Sequence, residues 1–211
     1  MTSQDSIAQY KNLSPTKRER FFFGQKINLT IKNISKKTNM KNQYTFTIYA
    51  EDQIQLFQKI TLIFTRKKIK IESFNFSCSE VDQIARFTIV ITETYEVVQN
   101  LVPQIEKIIE VFKCYCNTNE EIIWKQLALF KVQTAAIYEE NLTCLLKKSD
   151  VKAVSIERDY TIFQMIGFEN EINDLMIRLA DFNVIECIKS SRIALIKNSQ
   201  GFVKENSEFI L

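Results

Sequence analysis

The sequence contains no histidine among its 211 residues. Histidine is the usual general base at neutral pH and the commonest metal ligand, so most hydrolytic sites and many metal centres are excluded. Glycine is also scarce, with only Gly24, Gly167 and Gly201 in the whole chain. Neither a P-loop nor a G-x-G-x-x-G phosphate-binding loop can therefore be written anywhere in the sequence.

Long hydrophobic runs and a strong net charge are missing too. No apolar stretch approaches the roughly 18 residues that span a bilayer, and the polar, basic N-terminus is not followed by an apolar segment. We expect a cytoplasmic protein without membrane contact. The net charge of +3 is too small to indicate a nucleic-acid surface, and 45% hydrophobic residues are typical of a folded globular chain.

The five cysteines form an odd set without a C-x-x-C pair, which favours reduced thiols over a disulfide framework. Cys114 and Cys116 alternate on a predicted strand, so both point to one face. We interpret them as buried, inert thiols. A metal or redox site would need two further ligands close by.

Residues 1–42 differ from the rest of the chain. They mix Ser, Lys, Arg and Asn without sustained hydrophobic periodicity, which predicts a poorly ordered polar and basic leader. Short elements at 20–23 and 27–34 have only weak support. The leader is interpreted either as a tail without function or as a targeting or interaction segment.

Residues 43–117 predict a β-α-β-β-α-β unit. The alternating run Y-T-F-T-I-Y-A-E from Tyr44 is typical of a half-buried strand, and a broad helical stripe follows over residues 53–67. Two alternating strands (69–77 and 84–92), a helix capped at Thr94 and containing Pro103, and a strand at 111–117 complete the unit. Two right-handed crossovers would place both helices on one face of an antiparallel sheet.

The same order of elements recurs after a predicted linker at 118–123. The second unit, residues 124–199, consists of a strand at 124–134, a helix at 139–149, a strand pair at 151–159 and 160–168, a helix at 169–182 and one or two strands within 184–197. A tail covers 200–211. The predicted fold class is α+β, with two ferredoxin-like units whose helices lie on one face. Trp124, at the junction, is interpreted as a packing residue.

A resemblance to a known family rests on an ordered set of segments. They include F-T-I-Y-A-E-D-Q-I-Q-L-F-Q-K-I, the strand I-K-I-E-S, the run A-R-F-T-I-V-I, the stretch E-E-I-I-W-K-Q-L-A-L-F-K-V, and the late pair around F-Q-M-I-G-F-E-N-E-I and I-E-C-I-K-S-S-R-I-A-L-I-K. In this order they span Tyr44 to Ser199. The chain resembles the small subunit of acetolactate synthase, which begins with an ACT domain.

The resemblance implies a regulatory, non-catalytic subunit without a cofactor of its own. Its partner would be a large subunit that carries thiamine diphosphate, FAD and magnesium and that forms 2-acetolactate for valine, leucine and isoleucine biosynthesis. It also implies a homodimer that forms through the ACT domains, with valine as feedback effector bound between the β1–α1 loop of one domain and a strand of its neighbour.

Three residues depart from the family at this effector site: Asp52 for asparagine, Gln55 for glycine, and Lys70 for asparagine. Asp52 has no amide donor and adds negative charge near the effector carboxylate, while Gln55 puts a long side chain where backbone should approach. Lys70 is suggested to pair with Asp52. The resemblance also implies backbone contacts to the effector at Leu56 and Ile71. We hypothesise that valine binding is weakened or lost while activation is kept.

Other interpretations stay open at this point. The loop after Glu51 is alternatively interpreted as an ordinary solvated loop, and Arg66 and Arg86 as either surface charges or contacts to the large subunit. Glu51 and Glu72 are given structural roles instead of an acid/base pair. The alternative functions are a free-standing ACT sensor acting on another protein and a small enzyme on the same scaffold, the latter disfavoured by the missing histidine.

Overall fold

The computed structural model describes residues 40–138 and 140–206. Nearly all of the predicted leader, residues 1–39, and the last five residues of the predicted tail lie outside this range. Among the described residues, no helix is long and apolar enough to cross a membrane.

The first unit contains the six predicted elements in the predicted order. They are β1 (Asn42–Glu51), α1 (Gln55–Arg66), β2 (Ile71–Cys78), β3 (Ile84–Glu93), α2 (Tyr95–Glu106) and β4 (Val111–Thr118). The strands form an antiparallel sheet in the order β2-β3-β1-β4, so β2 and β4 are its edges. This confirms the ferredoxin-like architecture predicted for residues 43–117.

The core of this unit lies between the sheet and its two helices. Alternate residues of β1, among them Phe46 and Ile48, point toward the helices and are fully buried. They pack against one stripe of each helix, formed by Leu56, Ile60 and Phe64 of α1 and by Val98, Leu101 and Ile105 of α2. The 3.6-residue spacing of these positions is what made both helices predictable.

The second unit repeats this arrangement. Its elements are β5 (Ile122–Gln133), a 3-10 turn (Thr134–Tyr138), α3 (Glu140–Lys148), β6 (Val151–Ile156), β7 (Tyr160–Gly167), α4 (Glu169–Leu179), a 3-10 turn (Ala180–Phe182), β8 (Val184–Lys189) and β9 (Ile193–Ile196). The sheet order is β6-β7-β5-β8, the same as in the first unit. The short strand β9 pairs with the first residues of β5 instead of extending the main sheet.

The connection between the units is shorter than the predicted linker at 118–123. β4 ends at Thr118 and β5 begins at Ile122, so only residues 119–121 lie outside strands. The Glu121 side chain closes this turn by accepting hydrogen bonds from the Thr118 amide (2.7 Å) and hydroxyl (3.0 Å).

The predicted tail is packed over its described part, residues 200–206. A short helix, α5 (Phe202–Glu205), lies on the first sheet, where the Phe202 ring stacks on Tyr49 with a centroid separation of 4.3 Å. Tyr115 donates a hydrogen bond to Glu205 at 2.9 Å and accepts one from Asn206 at 3.1 Å. Sequence alone gave no sign of this contact, because four helical residues are too few for a periodic pattern.

The face of the first sheet that points away from its helices is therefore covered. Thr45, Thr47, Thr88 and Val90 lie on this face, and all four are buried. Residues 192–202, from the end of the second unit and the start of the tail, lie over it, where Thr45 contacts Arg192 and Thr47 lines a cleft together with β9 and Phe202.

Candidate functional site

The effector loop suggested by the sequence follows β1 directly. Asp52 and Gln55 are both solvent-exposed. The Asp52 amide donates to the Gln83 carbonyl at 2.9 Å, and its carboxylate is 3.9 Å from the Cys78 thiol, which donates to it weakly. This part of the loop is thus fixed by its backbone and open to solvent through its side chains.

The Leu56 amide, expected to contact the effector, is already engaged within the chain. It donates to the Gln53 carbonyl at 3.1 Å, and the Leu56 side chain is buried in the core. The next amide, that of Phe57, donates to the Ile54 carbonyl at 3.2 Å. The helix start therefore offers fewer free N–H groups to a carboxylate than an open first turn does.

Lys70 lies at the opposite end of the sheet from Asp52, so the suggested pair does not form within one chain. β1 and β2 are both antiparallel to β3 and hence run in the same direction. Asp52 sits beside Cys78 at the end of β2, whereas Lys70 precedes its start. A strand of this length separates the two by about 23 Å at about 3.3 Å per residue. The backbone of Ile71 pairs with Ile91 on one side only, because β2 is an edge strand.

A second polar site lies between the two units and is centred on Arg192. This residue, between β8 and β9, is only 1% exposed. Its Nη1 donates to Thr45 Oγ1 at 3.3 Å and to Asn119 Oδ1 at 3.1 Å, and its Nη2 donates to Gln43 Oε1 at 2.9 Å. Each of these acceptors belongs to the first unit or the connecting turn, so one side chain fixes both units together.

The Arg192 guanidinium also lies over the Trp124 ring, 3.9 Å from its centroid, and Phe168 meets the same ring edge-on at 5.1 Å. The prediction that Trp124 is a packing residue is confirmed. Burial lowers the pKa of Arg192, while the negative charges of Glu169 and Glu72 act in the opposite direction. Sequence reasoning missed Arg192, since a single arginine in a polar turn gives no periodic signal.

A cleft of about 340 Å³ opens beside Arg192. It carries charges of both signs, from Lys189 and Arg192 and from Glu72 and Glu169, together with serine side chains from both units. Two buried polar atoms of lining residues, Arg192 Nε and Gln126 Oε1, have no hydrogen-bond partner within the described part of the chain.

A second cleft, of about 410 Å³, lies under the C-terminal segment. Tyr49, Tyr115 and Arg86 line it beside Phe202. Burial raises the pKa of Tyr49, and a hydrogen bond with Arg86 partly opposes that rise. Arg86 is thus half-buried in an internal contact, whereas Arg66 is exposed.

The structure also locates the two strand cysteines and the two glutamates that the sequence analysis considered. Cys114 is buried and Cys116 is half-buried, in agreement with the predicted burial. Burial raises the pKa of both thiols, that of Cys116 to about 12, which disfavours the reactive thiolate form. Glu51 accepts a hydrogen bond from Gln53 at 2.6 Å, and Glu72 accepts one from Gln43 at 2.9 Å. The two carboxylates lie at opposite ends of the sheet, so they form no acid/base pair.

The architecture defines a class: a two-domain protein in which an ACT-type ferredoxin-like domain is followed by a second ferredoxin-like domain. A family model described as "AHAS small subunit-like ACT domain" matches residues 46–113, and one described as "Small subunit of acetolactate synthase" matches residues 125–198. The chain belongs to the acetolactate synthase small-subunit family.

Individual relatives agree with this assignment. The acetolactate synthase small subunit of Bacillus subtilis is 27% identical over 168 residues, covering 79% of this chain and 96% of the relative. The probable acetolactate synthase small subunit of Archaeoglobus fulgidus is 21% identical over 158 residues, covering 75% and 99%. The crystal structure of the Thermotoga maritima small subunit has a TM-score of 0.67 at 18% identity, covering 75% of this chain and 99% of that one, which supports the fold.

Proposed function

We propose that this chain is the regulatory subunit that binds and activates the thiamine-diphosphate-dependent large subunit of acetolactate synthase, in the biosynthesis of valine, leucine and isoleucine. The observation that carries the proposal is the match of both domains, in the same order, to models of one small-subunit family. In this proposal thiamine diphosphate, magnesium and FAD belong to the large subunit, and this chain takes no part in bond making or breaking.

The geometry of β2 supports a homodimer formed through the ACT domains. One edge of this strand pairs with no other strand among the described residues. If the β2 edges of two copies pair antiparallel, the end of one β2 lies beside the start of the other. Asp52 and Gln55 of one copy then approach Lys70 and Ile71 of the second, which assembles the expected effector site from both copies.

Valine feedback is proposed to be weak or absent. Asp52 places a carboxylate where the effector carboxylate would bind, and the neighbouring Leu56 amide is already bonded to Gln53. Gln55 adds an exposed side chain at the first residue of α1. Lys70 of a second copy would offset the charge of Asp52 only modestly, because an exposed ion pair contributes up to about 1 kcal/mol.

Reconstitution tests this function. Acetolactate formation by the large subunit from the same organism is measured alone, with increasing amounts of this chain, and with or without valine. We expect no turnover by the chain alone, a saturable rise in activity on mixing, and little inhibition by valine. No rise at any ratio would refute activation, and strong inhibition by valine would refute the weakened feedback.

A double variant that should gain sensitivity to valine provides a second test of feedback inhibition. The double substitution Asp52→Asn and Gln55→Gly restores the family residues at two of the three departures. We expect it to increase inhibition by valine while leaving activation unchanged. Asp150→Asn, which changes an exposed aspartate of the second domain, is the matched control and should behave as the unmodified chain does. A double variant that is no more sensitive than this control would show that these residues do not set the feedback.

A further inference from the structure

The cleft beside Arg192 combines cationic and anionic side chains within one small space. Lys189 and Arg192 come from the second domain, while the carboxylates are Glu72 of the ACT domain and Glu169 of the second. These four charges sum to zero, so the cleft matches a ligand that carries both signs better than a simple anion or cation. Its volume of about 340 Å³ is in the lower part of the range of about 300–1,000 Å³ that small-molecule sites occupy.

Arg192, on the cationic side of the cleft, is only loosely paired with a carboxylate. Arg192 is 1% exposed, yet its nearest carboxylate oxygen, from Glu169, is 3.8 Å away, and its Nε has no hydrogen-bond partner among the described residues. A buried charge and a buried unpaired donor are both costly unless they are compensated. A carboxylate bound between Arg192 and Lys189, with an ammonium group near Glu72 and Glu169, would give Arg192 a closer partner and leave the net charge of the cleft at zero. The Lys189 ammonium is exposed and held at 2.8 Å by Asn173 Oδ1.

The rest of the lining favours a small ligand. Serine side chains come from both domains, and Val90, fully buried on the covered face of the ACT sheet, contributes an aliphatic wall. The cleft lies at the end of the sheet where β1 begins, as Gln43 among its lining residues shows. Asp52 and Gln55 of the same chain are at the other end.

We propose that this interdomain cleft binds a small zwitterion of the α-amino-acid class, with its carboxylate toward Arg192 and Lys189 and its ammonium group toward Glu72 and Glu169. The proposal goes beyond the regulatory function proposed above and does not depend on the large subunit. It concerns a site within one chain, separate from Asp52 and Gln55.

The single tryptophan provides the readout, because Trp124 lies directly beneath Arg192 at 3.9 Å. The full chain alone is titrated with L-alanine, L-serine and L-valine, and its tryptophan fluorescence is followed, with equilibrium dialysis of the same ligands as a second measurement. We expect saturable binding of at least one of them. Propionate, which lacks the ammonium group, and ethylamine, which lacks the carboxylate, should both bind much more weakly.

Charge-removing variants locate the site. Glu72→Gln and Lys189→Gln should each weaken binding about tenfold, the effect of losing one hydrogen bond to a charged group. Glu186→Gln and Lys152→Gln remove exposed charges from the second domain elsewhere, and both should leave affinity unchanged. Circular dichroism of each variant verifies that it is folded.

Three outcomes would overturn the proposal. The first is the absence of binding for all three amino acids by both measurements. The second is propionate binding as tightly as L-alanine, which would indicate an anion site only. The third is a changed affinity in the Asp52→Asn and Gln55→Gly variant while Glu72→Gln and Lys189→Gln bind normally, which would place the ligand at the effector loop instead.

Discussion

The two sheets share the same strand order, but their outer faces differ. In the ACT domain the face opposite the helices is buried, although threonines at positions 45, 47 and 88 occupy much of it. In the second domain no described segment covers the corresponding face, although apolar side chains occupy it: Leu127, Ile166 and Ile188 are 38%, 57% and 56% exposed. The polarity of a strand face thus does not reveal whether it is covered. A polar face can be covered when another segment supplies hydrogen-bond partners for its side chains, as Arg192 does for Thr45.

The substitution with the largest expected effect on this difference is Arg192→Ala. Removing the guanidinium leaves Thr45, Asn119 and Gln43 without their shared donor and uncovers the Trp124 ring. We expect the free energy of unfolding, measured with urea, to fall by about 3 kcal/mol. Arg178→Ala, which removes an exposed arginine of α4, is the matched control and should change stability by less than about 0.5 kcal/mol. Equal effects of the two variants would show that Arg192 does not hold the domains together.

A matched pair of aliphatic substitutions compares the two faces directly. Val90→Ala lies on the covered face and Ile166→Ala on the open one, where the side chains are 0% and 57% exposed. Because burial sets the cost of losing apolar atoms, we expect Val90→Ala to lower the free energy of unfolding by about 2 kcal/mol and Ile166→Ala by less than about 1 kcal/mol, despite the larger truncation. The reverse ranking would mean that the second sheet is covered in solution.

The smallest expected effect is a pH dependence of stability that arises from Glu205, in the segment that packs on the ACT sheet. Hydrogen bonds from Ser199, the Gln200 amide and Tyr115 lower the pKa of Glu205. A carboxyl whose folded pKa lies below its unfolded value stabilises the fold above that unfolded value, and the gain is lost as pH falls through the folded pKa. We expect the urea midpoint of the unmodified chain to exceed that of Glu205→Gln above about pH 4.5, and the difference to shrink as the solution becomes more acidic.

Glu186→Gln, which removes an exposed carboxylate of β8, serves as the control for this titration and should follow the unmodified chain at every pH. A difference between the unmodified chain and Glu205→Gln that stays constant with pH would argue against a titrating role for Glu205.

Elements with a regular pattern were predictable from the sequence. The alternation from Tyr44 and the helical spacing of Leu56, Ile60 and Phe64 placed β1 and α1 within a few residues of their observed bounds, because each pattern records which side faces the core. Residues 200–206 and Arg192 were not predictable. Their roles depend on contacts between positions far apart in the chain, such as Arg192 with Thr45, and no local period encodes such contacts.

The candidate site was predictable only in part. The loop residues Asp52 and Gln55 lie in the expected turn at the start of α1, but Lys70 lies at the far end of the sheet. Lys70 and Asp52 are far apart within one chain because β2 runs in the same direction as β1, which carries Lys70 away from the end of the sheet where Asp52 lies. The cleft at Arg192 had no sequence signal, since six separated segments of the chain contribute to its lining.

The packing of Phe202 against Tyr49 has a consequence for synthesis on the ribosome. Domains generally fold in the order in which they emerge, so the ACT sheet can form while most of the second domain is still untranslated. Its outer face, however, is completed only when Arg192 and Phe202 arrive, after the whole of the second sheet has been made. During elongation this face of the nascent ACT domain therefore stays exposed. It is accessible to chaperones until the segment with Arg192 and Phe202 packs against it.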